Sequence, residues 1–226
     1  MQTRFITTGG TDFIHLFGCG RDGTADAQIG TLIGEASAAL AAQGLALDNA
    51  VLHRIFASDR ESREGIYETR ARLLAGAQRT ASSSFVATAK LAPEAMIALE
   101  MIAFLPKNPK SRRIVEFDPP RRYAHYVVQD GWQFLSGMAE GGNNMDAEFA
   151  RSLRAVETAL GREKTNWSRV TEITIFLERG HGSLGWLRER LANALPAHRA
   201  RLTVIPVDGL ASTDKHIEIE AVARLP

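Results

Sequence analysis

The chain of 226 residues has one cysteine, Cys19. A single thiol excludes an internal disulfide and suits a reducing compartment. The chain has almost no net charge: 27 basic and 26 acidic side chains leave +1. No overall field therefore draws it to nucleic acid or to an anionic membrane. Aromatic residues make up 7%, and they form no aromatic-basic stripe of the kind that holds RNA. No apolar run approaches the ~20 residues of a membrane span. Met1 to Gly10 lacks the apolar core of a secretion signal. These absences predict a cytoplasmic protein with no nucleic-acid or membrane partner. With 45% apolar and 23% charged residues, it can bury a core without staples.

Several catalytic signatures are also missing. The histidines, His15, His53, His125, His181, His198 and His216, are scattered. None forms a helical ligand pair or sits with cysteines, so no metal is expected. Ser82-Ser83-Ser84 lacks the glycine frame of a nucleophile elbow. No base accompanies Cys19, which reads as a small buried thiol. Gly18-Cys19-Gly20-Arg21-Asp22-Gly23 spells a dinucleotide fingerprint. The acid that should follow about 20 residues on is absent, so it reads as a loop.

What is present is a repetition. Ile55-Phe56 and Leu105-Pro106 return as Ile175-Phe176 and Leu225-Pro226, about 120 residues later. The order strand, helix, strand, helix, strand recurs with them. Long amphipathic helices run through Ile29, Leu32, Ile33, Ala36 and Leu40 and through Phe149, Leu153, Val156 and Leu160. Asp26 and Asp146 are expected N-caps, and Gly44 and Gly161 expected C-terminal stops. A second helix is expected over 60–75 in the first half and 183–194 in the second, with Leu184, Leu187 and Leu191 inward. The proline- and charge-rich stretch 107–122 reads as a solvated linker. The expected units are 1–106 and 123–226, each an α+β layer with helices on one face of a mixed sheet.

Four segments of the second half resemble the YjgF/Rid family of reactive-intermediate deaminases, also known as endoribonuclease L-PSP proteins. They are Leu135-Ser136-Gly137, Val170 to Leu177, Pro196 to Val204, and Ile217-Glu218-Ile219-Glu220-Ala221-Val222-Ala223. The resemblance covers about 123–224, and the first half matches less well. It implies two chorismate-mutase-like domains in tandem, assembling as a trimer with sites at the seams.

For function, the resemblance implies hydrolysis of an imine or enamine of a 2-oxo acid without a cofactor. Arg201 would hold the substrate carboxylate and Glu218 would position water. Tyr123 and Ser136 would line the pocket. Arginine offers a planar fork to a carboxylate, and a strand glutamate can orient water and shuttle its proton. Glu220 shares the strand face of Glu218 by period two, which adds it to the expected pocket. The first half carries Ser83, Ala98, Phe17 and Arg4 at the corresponding positions, so it reads as a degenerate partner. Leu184 and Met138 replace polar residues of the family's pocket, and Val207 to Leu210 holds an extra residue. Two alternatives stay open. One is hydrolysis or tailoring of a cyclic carboxylate, as in the tandem chorismatases. The other is a non-catalytic module that senses a carboxylate metabolite.

Overall fold

The computed structural model describes residues 1–8, 11–88, 91–196 and 198–226; the side chains of residues 7, 8, 11, 12 and 82–86 lie outside the described set. The first half runs β1 (Gln2–Thr8), β2 (Thr11–Cys19), α1 (Ala25–Ala41), β3 (Ala50–Ala57), α2 (Arg60–Gly65), α3 (Tyr67–Leu73), β4 (Ala81–Ala87) and β5 (Ile97–Ala103). The second runs β6 (Arg113–Val115), β7 (Tyr126–Gln129), β8 (Trp132–Leu135), α4 (Met145–Arg162), β9 (Val170–Glu178), α5 (Leu184–Ala194), β10 (Arg201–Val207) and β11 (Ile217–Arg224). The sheet orders are β1-β2-β5-β3-β4 and β10-β9-β11-β8-β7-β6. Read in opposite directions, and with β6 set aside, they are one order used twice. Each sheet has one parallel pair, β3 with β4 and β10 with β9, and antiparallel pairs elsewhere.

Alternation along the strands divides each sheet into two buried faces. On one face, Leu16, Ile55, Leu99 and Met101 pack with Ile29, Leu32 and Leu40 of α1. In the second half, Ile173, Ile175, Ile217 and Ile219 pack with Phe149 and Val156 of α4 and Leu187 of α5. On the opposite face the two halves meet each other. Phe13, Leu52, Ile102 and Phe104 of the first join Val127, Trp132, Phe134 and Val222 of the second. The Phe13 ring meets the edges of Phe104 at 5.2 Å and Trp132 at 5.3 Å, a favoured aromatic geometry. The β4 edge is also covered: Ala87 N–H donates to Gly209 O and Asp208 N–H donates to Ala87 O, each at 2.9 Å.

Several local expectations change. The helix N-caps are Thr24 and Asn144, whose side chains accept from Ala27 N–H and Ala147 N–H. Asp26 and Asp146 fall in the first turn instead, where a negative charge still favours the helix dipole. Gly44 takes a left-handed φ of 71° after α1, as expected. Gly161 lies inside α4, and Lys164 is the residue that turns left-handed. The helix expected over 60–75 divides at Ile66. Leu184 opens α5 and is exposed, while Leu187 and Leu191 are buried. The linker is not all connector: β6 adds a strand to the second sheet, and Arg112 donates to Ala50 O and Arg79 O. Among the described residues, no helix is long and apolar enough to cross a membrane.

The glycine-rich loop after β2 serves packing. A Cβ on Gly20 would stand 2.0 Å from Gln28 Oε1. That oxygen accepts from the backbone N–H groups of Met96 and Ile97. The side chain of Gln28, buried in the first turns of α1, packs directly against this loop.

Candidate functional site

Strand β11 divides its side chains cleanly. Ile217, Ile219, Ala221 and Ala223 enter the helix-side core. Glu218 and Glu220 therefore point toward the first half, and both are buried, at 1% and 2% exposure. A buried carboxylate is costly unless a cation or hydrogen-bond donors meet it. Glu220 meets Arg54 of β3: Arg54 Nε donates to Glu220 Oε2 at 2.8 Å. The same guanidinium donates to Glu100 Oε2 at 2.8 Å and to Thr174 Oγ1 at 3.2 Å. Burial works against the Arg54 charge, but Glu220 and Glu100 outweigh it and hold the guanidinium protonated. Burial also works to raise the Glu100 carboxyl. His15, 3.8 Å away, and the Arg54 charge overcome it and hold the group at about 2. Glu220 is thus occupied in the contact between the halves.

Glu218 lies directly behind the turn that follows β8. A Cβ on Gly137 would stand 1.9 Å from Glu218 Oε1, so only glycine lets the carboxylate sit there. Ser136, next to it, is fully buried and donates its hydroxyl to Ala124 O. Arg201 is elsewhere. It opens β10, which pairs in parallel with β9, and faces Glu172, whereas Glu218 faces Phe176. Four positions at ~3.3 Å each separate them along the strands. Arg201 is exposed and its Nη2 is 2.9 Å from Glu172 Oε1. Within one chain the register sets Arg201 and Glu218 apart. The Ser83 side chain, the first-half counterpart of Arg201, lies outside the described residues.

Tyr123 lines a cavity of about 790 Å³ where α2 and α3 face the end of the linker. Arg63, Tyr67, Arg121 and Arg122 share its wall. Arg121 Nη1 donates to the Tyr123 hydroxyl at 3.3 Å. Arg122 lies 4.2 Å over the Tyr67 ring and pairs with Glu68 at 2.7 Å. Arg63 donates to Ala211 O at 2.7 Å, which places its head at the seam. Behind them the Arg70 guanidinium is 5.5 Å from the Tyr123 ring centre. Burial pulls the Arg70 pKa down to about 10, so it remains charged at neutral pH. The cavity has the size of a small-molecule site. Its arginines suit carboxylate and its tyrosines suit a flat ring.

Arg121 also lines a second cavity, of about 300 Å³, with His125, Gly137, Met138 and Arg162. Arg162 Nη1 is 3.2 Å from His125 Nδ1, which accepts from it. Burial first, then the Arg162 and Arg121 charges, hold the His125 pKa at about 4, so its ring is neutral near pH 7. Gly137 is the wall between this cavity and Glu218. Sequence reasoning missed Arg121, His125 and Arg162. The first read as solvated linker charge, and the second as one of the scattered histidines. Their convergence depends on how the linker folds across the seam.

No family model matches the sequence, and no curated protein matches it. Solved structures do. A chorismatase is similar over 98% of this chain and 77% of its own, with a TM-score of 0.67 and 15% identity. A member of the YjgF/YER057c/UK114 family from Mycobacterium tuberculosis matches 51% of this chain and 100% of its own, at 24% identity and a TM-score of 0.45. A YjgF-family protein from Neisseria meningitidis matches 51% of this chain and 95% of its own, at 24% identity and a TM-score of 0.41. The chain has the α+β fold of two chorismate-mutase-like domains in tandem, and it shares the chorismatase fold along nearly its whole length.

Proposed function

We propose that this tandem of two YjgF-like domains hydrolyses a small carboxylate to a 2-oxo acid. The observation that carries the reading is the seam cavity, in which Tyr123 stands among Arg63, Arg121 and Arg122. An imine of a 2-oxo acid and an enol ether beside a carboxylate call for related chemistry. Water adds to the carbon next to the carboxylate, its oxygen becomes the carbonyl, and the C–N or C–O bond breaks. Ammonia leaves from the imine. An alcohol leaves from the enol ether, whose methylene carbon takes up one proton. The arginines would grip the carboxylate through paired charge-assisted hydrogen bonds. Arg121, which borders both cavities, is the proposed grip. Glu218 lines neither cavity, and the water-orienting role that the resemblance implies for it requires it to act past the Gly137 wall.

The cyclic-carboxylate reading is favoured over the small imino acid by the volume of the seam cavity and its two tyrosines. The test is release of 2-oxo acid from an enzymatically generated imino acid and from a cyclic enol-ether carboxylate. Wild type, Arg121→Ala and Arg201→Ala are compared. The expected result is turnover of the cyclic substrate that Arg121→Ala loses and Arg201→Ala keeps. No 2-oxo acid from either substrate overturns the hydrolase reading. Thermal stabilisation by such a carboxylate without turnover would instead mark a binding module. The reading includes a homotrimer, motivated by Phe17, which is 42% exposed on the β2 face that turns toward the second half.

A further inference from the structure

We propose that Glu178, His181 and His216 form a binding site for one divalent transition-metal ion of the zinc class. One ligand atom from each of the three lies within 4.8 Å of the others. Ligands around a tetrahedral zinc stand about 3.4 Å apart, given metal bonds of about 2.1 Å, so closure needs shifts on the order of 1 Å. The set is two imidazoles and one carboxylate. It leaves a fourth position for water or another ligand.

The backbone brings these residues together. Glu178 ends β9, and its N–H donates to His216 O at 2.9 Å, just before β11 begins. Gly180 turns the chain with a φ of 87°. His181 N–H then returns to Glu178 O at 3.3 Å. The two imidazoles stack with their centres 3.7 Å apart and their planes 16° apart. The lone pairs of two parallel rings run side by side, so the exposed His181 ring turns out of the stack to bring both nitrogens to one ion.

A separate observation points to a ligand. Glu148 of α4 is 3% exposed and spends its carboxylate on His216. Oε1 lies 3.0 Å from Nδ1, and Oε2 accepts the His216 N–H at 2.9 Å. A carboxylate on Nδ1 fixes that nitrogen as the donor and leaves the Nε2 lone pair available. This is the arrangement by which an outer carboxylate orients a metal-bound histidine and raises its basicity. The neighbouring cations are directed elsewhere. Arg179 bonds Asp208 and Pro206 O, and Lys215 donates to Ala139 O at 2.7 Å. None of the three ligands lines either cavity at the seam. The site is therefore independent of the proposed hydrolysis. The spacing of histidines in the sequence argues against any metal, because His181 and His216 meet only through the pairing of β9 with β11.

The experiment is calorimetric titration of the metal-stripped full chain with Zn²⁺, repeated with Co²⁺ to read the visible absorption of a four-coordinate ion. The expected result is one ion per chain, with affinity falling at least tenfold in His181→Ala and in His216→Ala. Glu148→Gln should weaken binding by about 10- to 100-fold while leaving the three ligands in place. His181 is exposed, so His181→Ala retains the fold, as circular dichroism without metal would verify, and it is the decisive variant. Absence of saturable Zn²⁺ binding overturns the proposal. So does binding that His181→Ala leaves unchanged, or that His198→Ala reduces equally.

Discussion

Arg54 of the first half and Glu220 of the second form a buried ion pair, with Nε 2.8 Å from Oε2. The guanidinium also reaches Glu100 and Thr174. Thr174 lies 120 residues after Arg54 and occupies the corresponding position in the second half; Glu220 corresponds to Glu100 in the same way. Two positions, each present twice, thus make one network.

Removing the arginine should be severe. Arg54→Ala leaves Glu220 buried, and Glu100 half-buried, without their shared cation, and stranding a buried charge typically costs about 3–5 kcal/mol. Urea denaturation should show that loss. A triple variant, Arg54→Met with Glu100→Leu and Glu220→Leu, should recover most of it. If Arg54→Ala unfolds at the wild-type midpoint, the network contributes nothing. The pair also sets an acid limit. Glu100 is held at about 2, against an ordinary value of 4.5. Its stabilisation is complete above 4.5 and declines as pH falls toward 2.

His125 predicts a second acid effect, in a higher window. Its folded pKa is about 4, against 6.5 ordinarily. Between these values the unfolded chain binds the extra proton, so stability falls as pH drops from 6.5 toward 4. His125→Phe should flatten that part of a stability-against-pH curve. His53, held low by burial and by Arg70, would retain a share of the slope. An unchanged slope in His125→Phe would show that the ring is protonated in the fold.

Gly137 and Glu218 should be energetically coupled. Gly137→Ala places a methyl on the carboxylate, and overpacking of this kind costs about 1–3 kcal/mol. The same substitution made beside Glu218→Ala should cost much less. A double-mutant cycle measures the difference. Additive effects would mean that the two groups do not touch. In the proposed reaction, Gly137→Ala alone should also abolish turnover by displacing Glu218.

Assembly should depend on Phe17. Light scattering of the purified chain should give a trimer, and Phe17→Asp should lower the mass at the same concentration. A monomer in wild type would remove the trimer from the reading.

Much of the architecture was legible in the sequence. The repeated anchors at Ile55-Phe56 and Ile175-Phe176 fall on β3 and β9, which hold the same place in their sheets. Period two in β11 gave the shared face of Glu218 and Glu220. Boundaries were less legible, because caps are chosen by local geometry: Thr24 and Asn144 compete with the nearby Asp26 and Asp146. Two of the residues expected at a site border the cavities. Tyr123 lines the seam cavity and Glu218 borders the Ser136-Gly137 turn. Arg201 lies four register positions from Glu218. The partners of Glu220, and the meeting of His181 with His216, depend on contacts far apart in the chain, which no short motif encodes.

The Arg54 network has a consequence for anyone who would cut the chain at the linker. Each fragment would carry one of the two acids that Arg54 joins, but the arginine leaves with the first. The second fragment would keep Glu220 without its counter-ion, and the seam cavity would lose Arg63 and Tyr67. The first copy is the electrical ground of the second, and the two are inseparable in a way their similar outlines conceal.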